Sequence, residues 1–458
     1  MSKVIQLPEE FIQQIRILLG AESESFFIAI GKDPATSVRK NPFKPSIIFD
    51  DAAKVEWCTE GRYLTERPSF TADPLFHSGA YYVQESSSMF VHHILGQIIS
   101  SFHKPLKFLD LCSSPGGKST LINSLMSDDD LLVSNEMIRS RVDALDENLM
   151  RWGQSNVMIS NNDPKDFSAL TTFFDLILID APCSGEGMFR KDKKAIAEWS
   201  QSNVNLCASR QQRIIHDALP ALKPGGFLIY STCTFNEKEN EENVKWMMDE
   251  FGLAPVKIDL NENWLINQST VTGKQLMNTF RFYPHKVKGE GLFIAVLQKS
   301  QDINPVNKFR KQHLAFVHRK SLDELKSWLS QPDQFEFIEW NKTIHAIRKS
   351  HIHDLEILAK QLHLKNAGVK MGEMIKDKLI PAHHLALSNA LSKSVKSIDI
   401  TKENALKYLR KNTFVLDEKY EPGIYLLKYK GLGLGWVKIL PNRINNYLPT
   451  HLRILKDL

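Results

Sequence analysis

Apolar positions in the middle of the chain come in short unbroken runs, separated by stretches with helical spacing. In FDLILID, Leu176, Ile177, Leu178 and Ile179 follow one another without alternation. That pattern is expected of a strand buried on both faces, as strands in parallel sheets are. Similar runs recur in KFLDLC, LLVSNE, NVMISN, GGFLIYSTC and GLFIAVLQK. Between them the spacing predicts helices over 119–126, Arg139–Trp152 and near 209–222. Strand and helix thus alternate regularly from Lys107 to Lys299, which predicts a doubly wound, Rossmann-like α/β sheet. Upstream, Phe11, Ile12, Ile15, Leu18 and Leu19 line one face of an amphipathic helix, and a second helix is expected from Met89 to Ile99, capped by Gln84, Glu85 and the serines that follow. Downstream, GIYLLKYKGLGLGWVKIL alternates in strand fashion around Gly431, Gly433 and Gly435.

Length divides this pattern. A chain of 458 residues exceeds what one core holds. The expected parts are an N-terminal RNA-binding, RRM-like region (1–80), a catalytic domain (81–299), a small mixed domain (305–380) and a β-rich end (395–458), with the polar stretch SQDINPVNKFRKQ as linker. The start carries acidic residues where a secretory signal needs a basic flank, and no run is long enough to span a bilayer. A cytoplasmic, monomeric protein without membrane attachment is expected.

Charge adds a partner. Residues 341–458 hold 21 Lys+Arg against 10 Asp+Glu, whereas the chain as a whole has a net charge of only +5. A basic appendage on a mildly acidic body points to a polyanion, with nucleic acid the natural candidate. Arg39, Lys40 and Lys44 in SVRKNPFKPS are further candidates for phosphate contact. The five cysteines form no CxxC pair and no even framework, so free thiols in a reducing compartment are expected, and no metal-ligand set is expected. Cys58 and Cys207 read as small buried hydrophobes.

Candidate chemistry collects at the carboxyl ends of the predicted strands, where open α/β sheets bind ligands. Asp180, Cys183 and Cys233 all fall there. In DLCSSPGGKST, residues Cys112, Ser113, Ser114, Pro115, Gly116, Gly117 and Lys118 form a small-residue turn between strand and helix, where backbone N–H groups approach a ligand closely. The turn lacks the Walker spacing and the full GxGxxG fingerprint, which disfavours a nucleoside triphosphate or NAD. Glu136 ends the second strand, where an acid grips ribose hydroxyls, and Asp163 follows the third, within reach of an adenine amino group. The ordered series fits S-adenosylmethionine.

With DLCSSPGGK, NE, DAPCSGEG and STCTFNEKENEENV in view, the chain resembles the Sun/nucleolar-protein family of RNA cytosine-C5 methyltransferases. YYVQESSSM, GMFRKD and the terminal strand pattern make it most similar to the methyltransferase F group of bacterial small-subunit ribosomal RNA enzymes. Ser113-Ser114 departs from the two alanines more usual there. The resemblance implies S-adenosylmethionine binding by Cys112 to Lys118, Glu136, Asp163 and Asp180. It also makes Cys233 the nucleophile and gives Cys183 the release of product. A thiolate adding to cytosine C6 makes C5 nucleophilic enough to take a methyl group. By spacing alone either cysteine could serve, since DNA cytosine-C5 enzymes use the cysteine of a Pro-Cys pair; the Thr232-Cys233 match decides for Cys233.

Lys118 and Asp180 are expected to assist ionisation and charge stabilisation. Arg190 and Lys191 are candidates for flanking phosphates. The end of the chain resembles a PUA-type RNA-binding barrel, with Lys428, Lys430, Lys438, Arg443 and Arg453 as phosphate contacts. Arg281 and His285 are weaker candidates for a substrate groove, and the acidic run 237–242 reads as structural. A catalytically idle assembly factor, or a transfer RNA enzyme, are the alternatives.

Overall fold

The computed structural model describes residues 6–102, 105–269, 278–300 and 308–455. The predicted linker's residues 301–307, and with them the start of the expected mixed domain, lie outside the described residues.

Seven of the catalytic sheet's ten described strands position the site: β1 (Lys107–Asp110), β2 (Leu131–Asn135), β3 (Val157–Ser160), β4 (Phe174–Asp180), β5 (Leu222–Thr232), β6 (Thr279–Phe282) and β7 (Leu292–Gln298). Their order across the sheet is β3-β2-β1-β4-β5-β7-β6. The first five run parallel, while β7 lies antiparallel between β5 and β6. The unbroken apolar run of β4 is explained by two cores, one on each face. Phe174, Ile177 and Ile179 join one, and Leu176 and Leu178 the other. At about 25 cal/mol per Å² of apolar surface removed from water, this double burial is the main local reason the run is a strand.

Helices α1 (Gly117–Asn123), α2 (Arg139–Trp152), α3 (Gln201–Ala218) and α4 (Glu241–Phe251) cover the faces. Helix α2 buries Val142, Leu145 and Leu149 on one face and stops at Gly153, whose φ of 91° lets its N–H close on Leu149 O. A Cβ at Gly153 would stand 2.4 Å from Leu387 O, so the stop is also a point of domain contact. Helix α3 starts eight residues earlier than expected, because the Ser200 hydroxyl accepts from Asn203 N and caps it there.

Four of the ten strands were not expected, the short Ala254–Pro255 and Asn267–Ser269 among them. Strand β6, which contains Arg281, is another. At the opposite edge, Leu364–Ala367 from the small mixed segment pairs antiparallel with β3 and extends the catalytic sheet. The rest of that segment forms its own four-stranded sheet over Phe335–Pro381, and another four-stranded sheet (Ser397–Asp399, Gly423–Tyr429, Leu432–Leu440, Arg443–Asn446) closes the chain.

The N-terminal region is two helices, Glu9–Leu19 and Ser23–Ile30, followed by a four-stranded antiparallel sheet. Of the basic residues singled out there, Arg39 and Lys44 are buried and Lys40 is half-buried. Arg39 is fully buried with its guanidinium 4.4 Å from the Trp152 ring and donates to Gln84, Thr120 and Ser124. Lys44 donates to Ser78 O and Arg151 O, and burial pulls its ammonium down to about 7. Lys40 pairs with Asp50. Arg39 and Lys44 thereby join the region to the catalytic domain, while the Lys40 pair stays within the region. No helix among the described residues is long and apolar enough to cross a membrane.

Candidate active site

The loops at the carboxyl ends of β1, β4 and β5 enclose a cavity of about 400 Å³. Its wall includes Asp110, Cys112, Ser113, Ser114, Pro115, Gly117, Lys118, Asp180 and Cys233, so most of the residues singled out from the sequence meet in one place. Gln84, Glu85 and Glu290 complete the wall from the N-terminal side and from the loop before β7.

The turn after β1 is built by its own small residues. Ser113 N donates to Asn135 O, Ser113 Oγ to Asp110 O, and Gly116 N to Ser113 O. Gly116 adopts a φ of 108°, which a residue with a Cβ adopts at a cost, and caps α1 from outside. Lys118, one residue into α1, places Nζ 2.8 Å from Asp180 Oδ2. Ser231 Oγ donates to the other carboxylate oxygen at 2.8 Å. Burial by itself would lower the Lys118 ammonium, but Asp180, Asp110 and Cys233 more than offset this and raise it, so the cation is kept.

The two thiols lie side by side, Cys183 Sγ 3.1 Å from Cys233 Sγ. Asp180 and Ser231 are register partners on β4 and β5; Cys183 stands three residues past the end of β4 and Cys233 directly after β5. Parallel pairing with matched ends therefore brings together residues fifty positions apart. The contact with Cys233, followed by burial, pushes the Cys183 thiol well up, which favours its protonated form. Burial likewise raises the Cys112 thiol. Cys58 and Cys207 are buried, as small hydrophobes are.

Glu186 was missed at the sequence level. It is fully buried, and its carboxylate accepts from Phe235 N, Asn236 N, Asn236 Nδ2, Trp199 Nε1 and Gln14 Nε2 at 2.7–3.1 Å. One charge thus ties the loop after Cys183 to the loop after Cys233 and to the N-terminal helix. Glu239 does similar work, accepting from Ser184 N, Gln211 and Asn236. Gly187 completes the tie: its N–H donates to Cys233 O at 2.7 Å, and a Cβ there would meet that same oxygen at 2.7 Å. The only sequence signal for Glu186 was its place in DAPCSGEG. Phe11 packs edge-on to Phe189 and Trp199, and Phe26 edge-on to Phe235, so the N-terminal helices brace both cysteine loops.

Several expected residues lie elsewhere. Glu136 and Asp163 stand at the ends of β2 and β3 outside the cavity wall, where Glu136 Oε1 accepts from Ile138 N and Asp163 Oδ1 from Lys165 N. Arg190 is not presented to a phosphate. Its guanidinium is buried, forks onto the Glu290 carboxylate at 2.8 and 3.0 Å and donates to Ala29 O and Gly289 O. Lys191 does line the cavity, 3.5 Å from Glu290 Oε1. Arg281 is buried against Glu241, and His285 meets Glu22 at 3.3 Å, so neither serves as a groove wall. The acidic run is structural, as read: Glu239 and Glu241 are both spent on internal partners. In the terminal sheet Lys430, Arg443 and Arg453 are exposed, and Lys428 and Lys438 half-buried.

The cavity suits a cationic ligand with a backbone-bound polar end. Asp110 Oδ1 is buried in the structure without a hydrogen-bond partner, and burial raises that carboxyl to about 7. Such an acid is an open acceptor for an ammonium or hydroxyl group.

Over residues 101–298 the chain matches the model of the 16S rRNA methyltransferase RsmB/F family. Residues 7–86 match the N-terminal domain of 16S rRNA methyltransferase RsmF, and residues 395–454 the methyltransferase RsmF PUA domain. Ribosomal RNA small subunit methyltransferase F of Vibrio campbellii is 31% identical over 99% of both chains. The chain belongs to the ribosomal RNA small subunit methyltransferase F family. The Serratia proteamaculans member is 28% identical over 97% of this chain and 96% of its own. Among solved structures, a methyltransferase homolog protein from Pyrococcus horikoshii is 28% identical over 64% of this chain and 96% of its own, with a TM-score of 0.55. NSun6 from Pyrococcus horikoshii, at 21% identity, shares the fold with a TM-score of 0.54 over 66% of this chain and 100% of its own.

As a member of this family the chain is an S-adenosylmethionine-dependent methyltransferase acting on ribosomal RNA. The residues present fit that donor. Residues of the turn 112–118 line the cavity together with Asp110 and Asp180, whose carboxylates suit a ligand with a positive charge.

Proposed function

We propose that the protein methylates carbon 5 of a specific cytosine in small-subunit ribosomal RNA through a covalent bond between Cys233 and C6 of the base. The observation that carries this reading is that Cys233 lines the same cavity as the Lys118–Asp180 ion pair, with the Cys183 thiol 3.1 Å behind its sulfur. A thiol pair of this kind has no use in methylating an amine or a hydroxyl, which are nucleophiles already.

S-adenosylmethionine, held by residues 112–118 with Glu136 and Asp163 at the adenosine end, supplies an electrophilic methyl group. Cys233 adds to C6 as the thiolate, and the ring's C5 becomes the nucleophile. Lys118 favours the thiolate by its charge. Asp180, set between Lys118 and Ser231, stabilises charge at the N3/N4 edge of the base. After transfer, the C5 proton passes to the Cys183 sulfur as that thiol protonates the departing Cys233, and the electron pair of the C–H bond forms the C5–C6 double bond and breaks the C6–S bond. The base reaches this site only out of its stack. Lys191 and the basic residues Lys428, Lys430, Lys438, Arg443 and Arg453 hold phosphates around it. The enzyme works as a single chain in the cytoplasm.

Bisulfite sequencing of ribosomal RNA from cells with and without the gene tests this directly. One small-subunit cytosine should lose protection when the gene is absent. Loss confined to transfer RNA, or no loss anywhere, refutes the reading.

A further inference from the structure

A second depression opens next to the catalytic cavity. It is a groove of about 640 Å³ between the N-terminal region and the catalytic domain, lined by Arg67, Phe70, Phe76, Tyr82, Pro115 and Asn148. Tyr82, Val83 and Pro115 belong to both walls, so groove and cavity are continuous around the Pro115 turn.

The groove's chemistry differs from the cavity's. Phe70, Phe76 and Tyr82 are half-buried, each with ring surface on the groove. The Arg67 guanidinium is exposed and lies 5.4 Å from the Phe70 ring centroid, and among the described residues no ion pair holds it. Arg151 covers Phe76 at 5.2 Å, but it is anchored to Glu147 and Asn148. Aromatic faces with a free arginine are the elements that bind unpaired nucleic acid, where bases stack on rings and phosphates meet the cation.

A base that enters the cavity leaves its neighbour without a stacking partner. A stacking surface continuous with the cavity replaces what the neighbour has lost. We propose that this groove binds the nucleotide adjoining the methylated cytosine, stacking its base on Phe70 and Tyr82 and pairing its phosphate with Arg67. The proposal rests on the reading of the cavity as an RNA methylation site.

The test uses the full chain, tritiated S-adenosylmethionine and small-subunit ribosomal RNA from cells lacking the protein. Arg67→Gln should raise the RNA KM about three- to tenfold with kcat within about twofold, and lower the slope of log KM against log salt by about one. Phe70→Leu keeps apolar bulk and removes the ring; it should raise KM similarly and leave the salt slope alone. Affinity for S-adenosylhomocysteine, measured by calorimetry, should not change in either. Wild-type KM in both variants overturns the proposal, and so does a loss of S-adenosylhomocysteine affinity, which would give the groove to the methyl donor. If the unaltered chain transfers methyl to no RNA, the reading of the cavity fails, and the groove assignment falls with it.

Discussion

Cys183 Sγ stands 3.1 Å from Cys233 Sγ, although fifty residues separate them in the chain. At that distance a proton passes from one sulfur to the other without any movement of the backbone, which suits the proposed attachment of Cys233 to a base and its later release. Cys233→Ala should lower transfer by at least about a thousandfold and abolish any covalent complex with RNA. Cys183→Ala should leave a protein–RNA complex that survives denaturing electrophoresis. The reverse pattern on the gel exchanges the two roles.

Lys118 and Asp180 form the charged floor of the cavity. Asp180→Asn keeps the shape and removes the charge. It should lower kcat by about 10²–10³-fold. The melting temperature should fall only modestly, because the Asp180 side chain is 37% exposed and Asp110 still faces the buried Lys118 ammonium. A variant that loses stability and activity together would make Asp180 a structural residue.

Glu186 is expected to act through the loops it joins. Glu186→Ala strands the Phe235 and Asn236 backbone N–H groups and the Trp199 indole N–H inside the protein. Hydrogen bonds to a buried charge are worth about 1.5–3 kcal/mol each, so a loss of about 3 kcal/mol or more is expected in urea denaturation. Glu186→Gln keeps an acceptor and should cost clearly less. Equal stability of Glu186→Ala and wild type would contradict the role.

Asp110 predicts a proton linkage. Its carboxyl sits at about 7 in the free protein, chiefly through burial, against an ordinary value near 3.8. A folded-state value above the unfolded one stabilises fully below the unfolded value, and that contribution is lost as pH rises through about 7. Asp110→Asn should therefore raise the melting temperature at pH 8 relative to wild type, with the gain shrinking at pH 5. Binding of the ammonium-bearing S-adenosylhomocysteine should lower this carboxyl and release up to about three-quarters of a proton at pH 6.5. Calorimetry in buffers of different ionisation enthalpy measures that number, and it should vanish in Asp110→Asn.

The β4 run, the turn from Cys112 to Lys118 and both cysteine motifs were legible in the sequence because each is local. Four consecutive apolar residues need two cores, and glycines beside a strand end need a close approach, whatever surrounds them. The helix Arg139–Trp152 was readable for the same reason: its apolar spacing and its terminal Gly153 lie within one segment. What required tertiary structure was the partner of each charge. Arg39, Lys44 and Arg190 look alike in sequence to Lys430 and Arg443, yet the first three are buried on internal acceptors and the last two are exposed. Charge type is a property of one residue, but burial depends on segments a hundred or more positions away. The same holds for Glu186 and for the strand Leu364–Ala367 at the edge of β3, whose partners lie far along the chain. The sequence alone therefore determined which chemical groups stand at the strand ends. Only the parallel pairing of β4 with β5, and the loops tied by Glu186, decided that two of those groups meet at 3.1 Å.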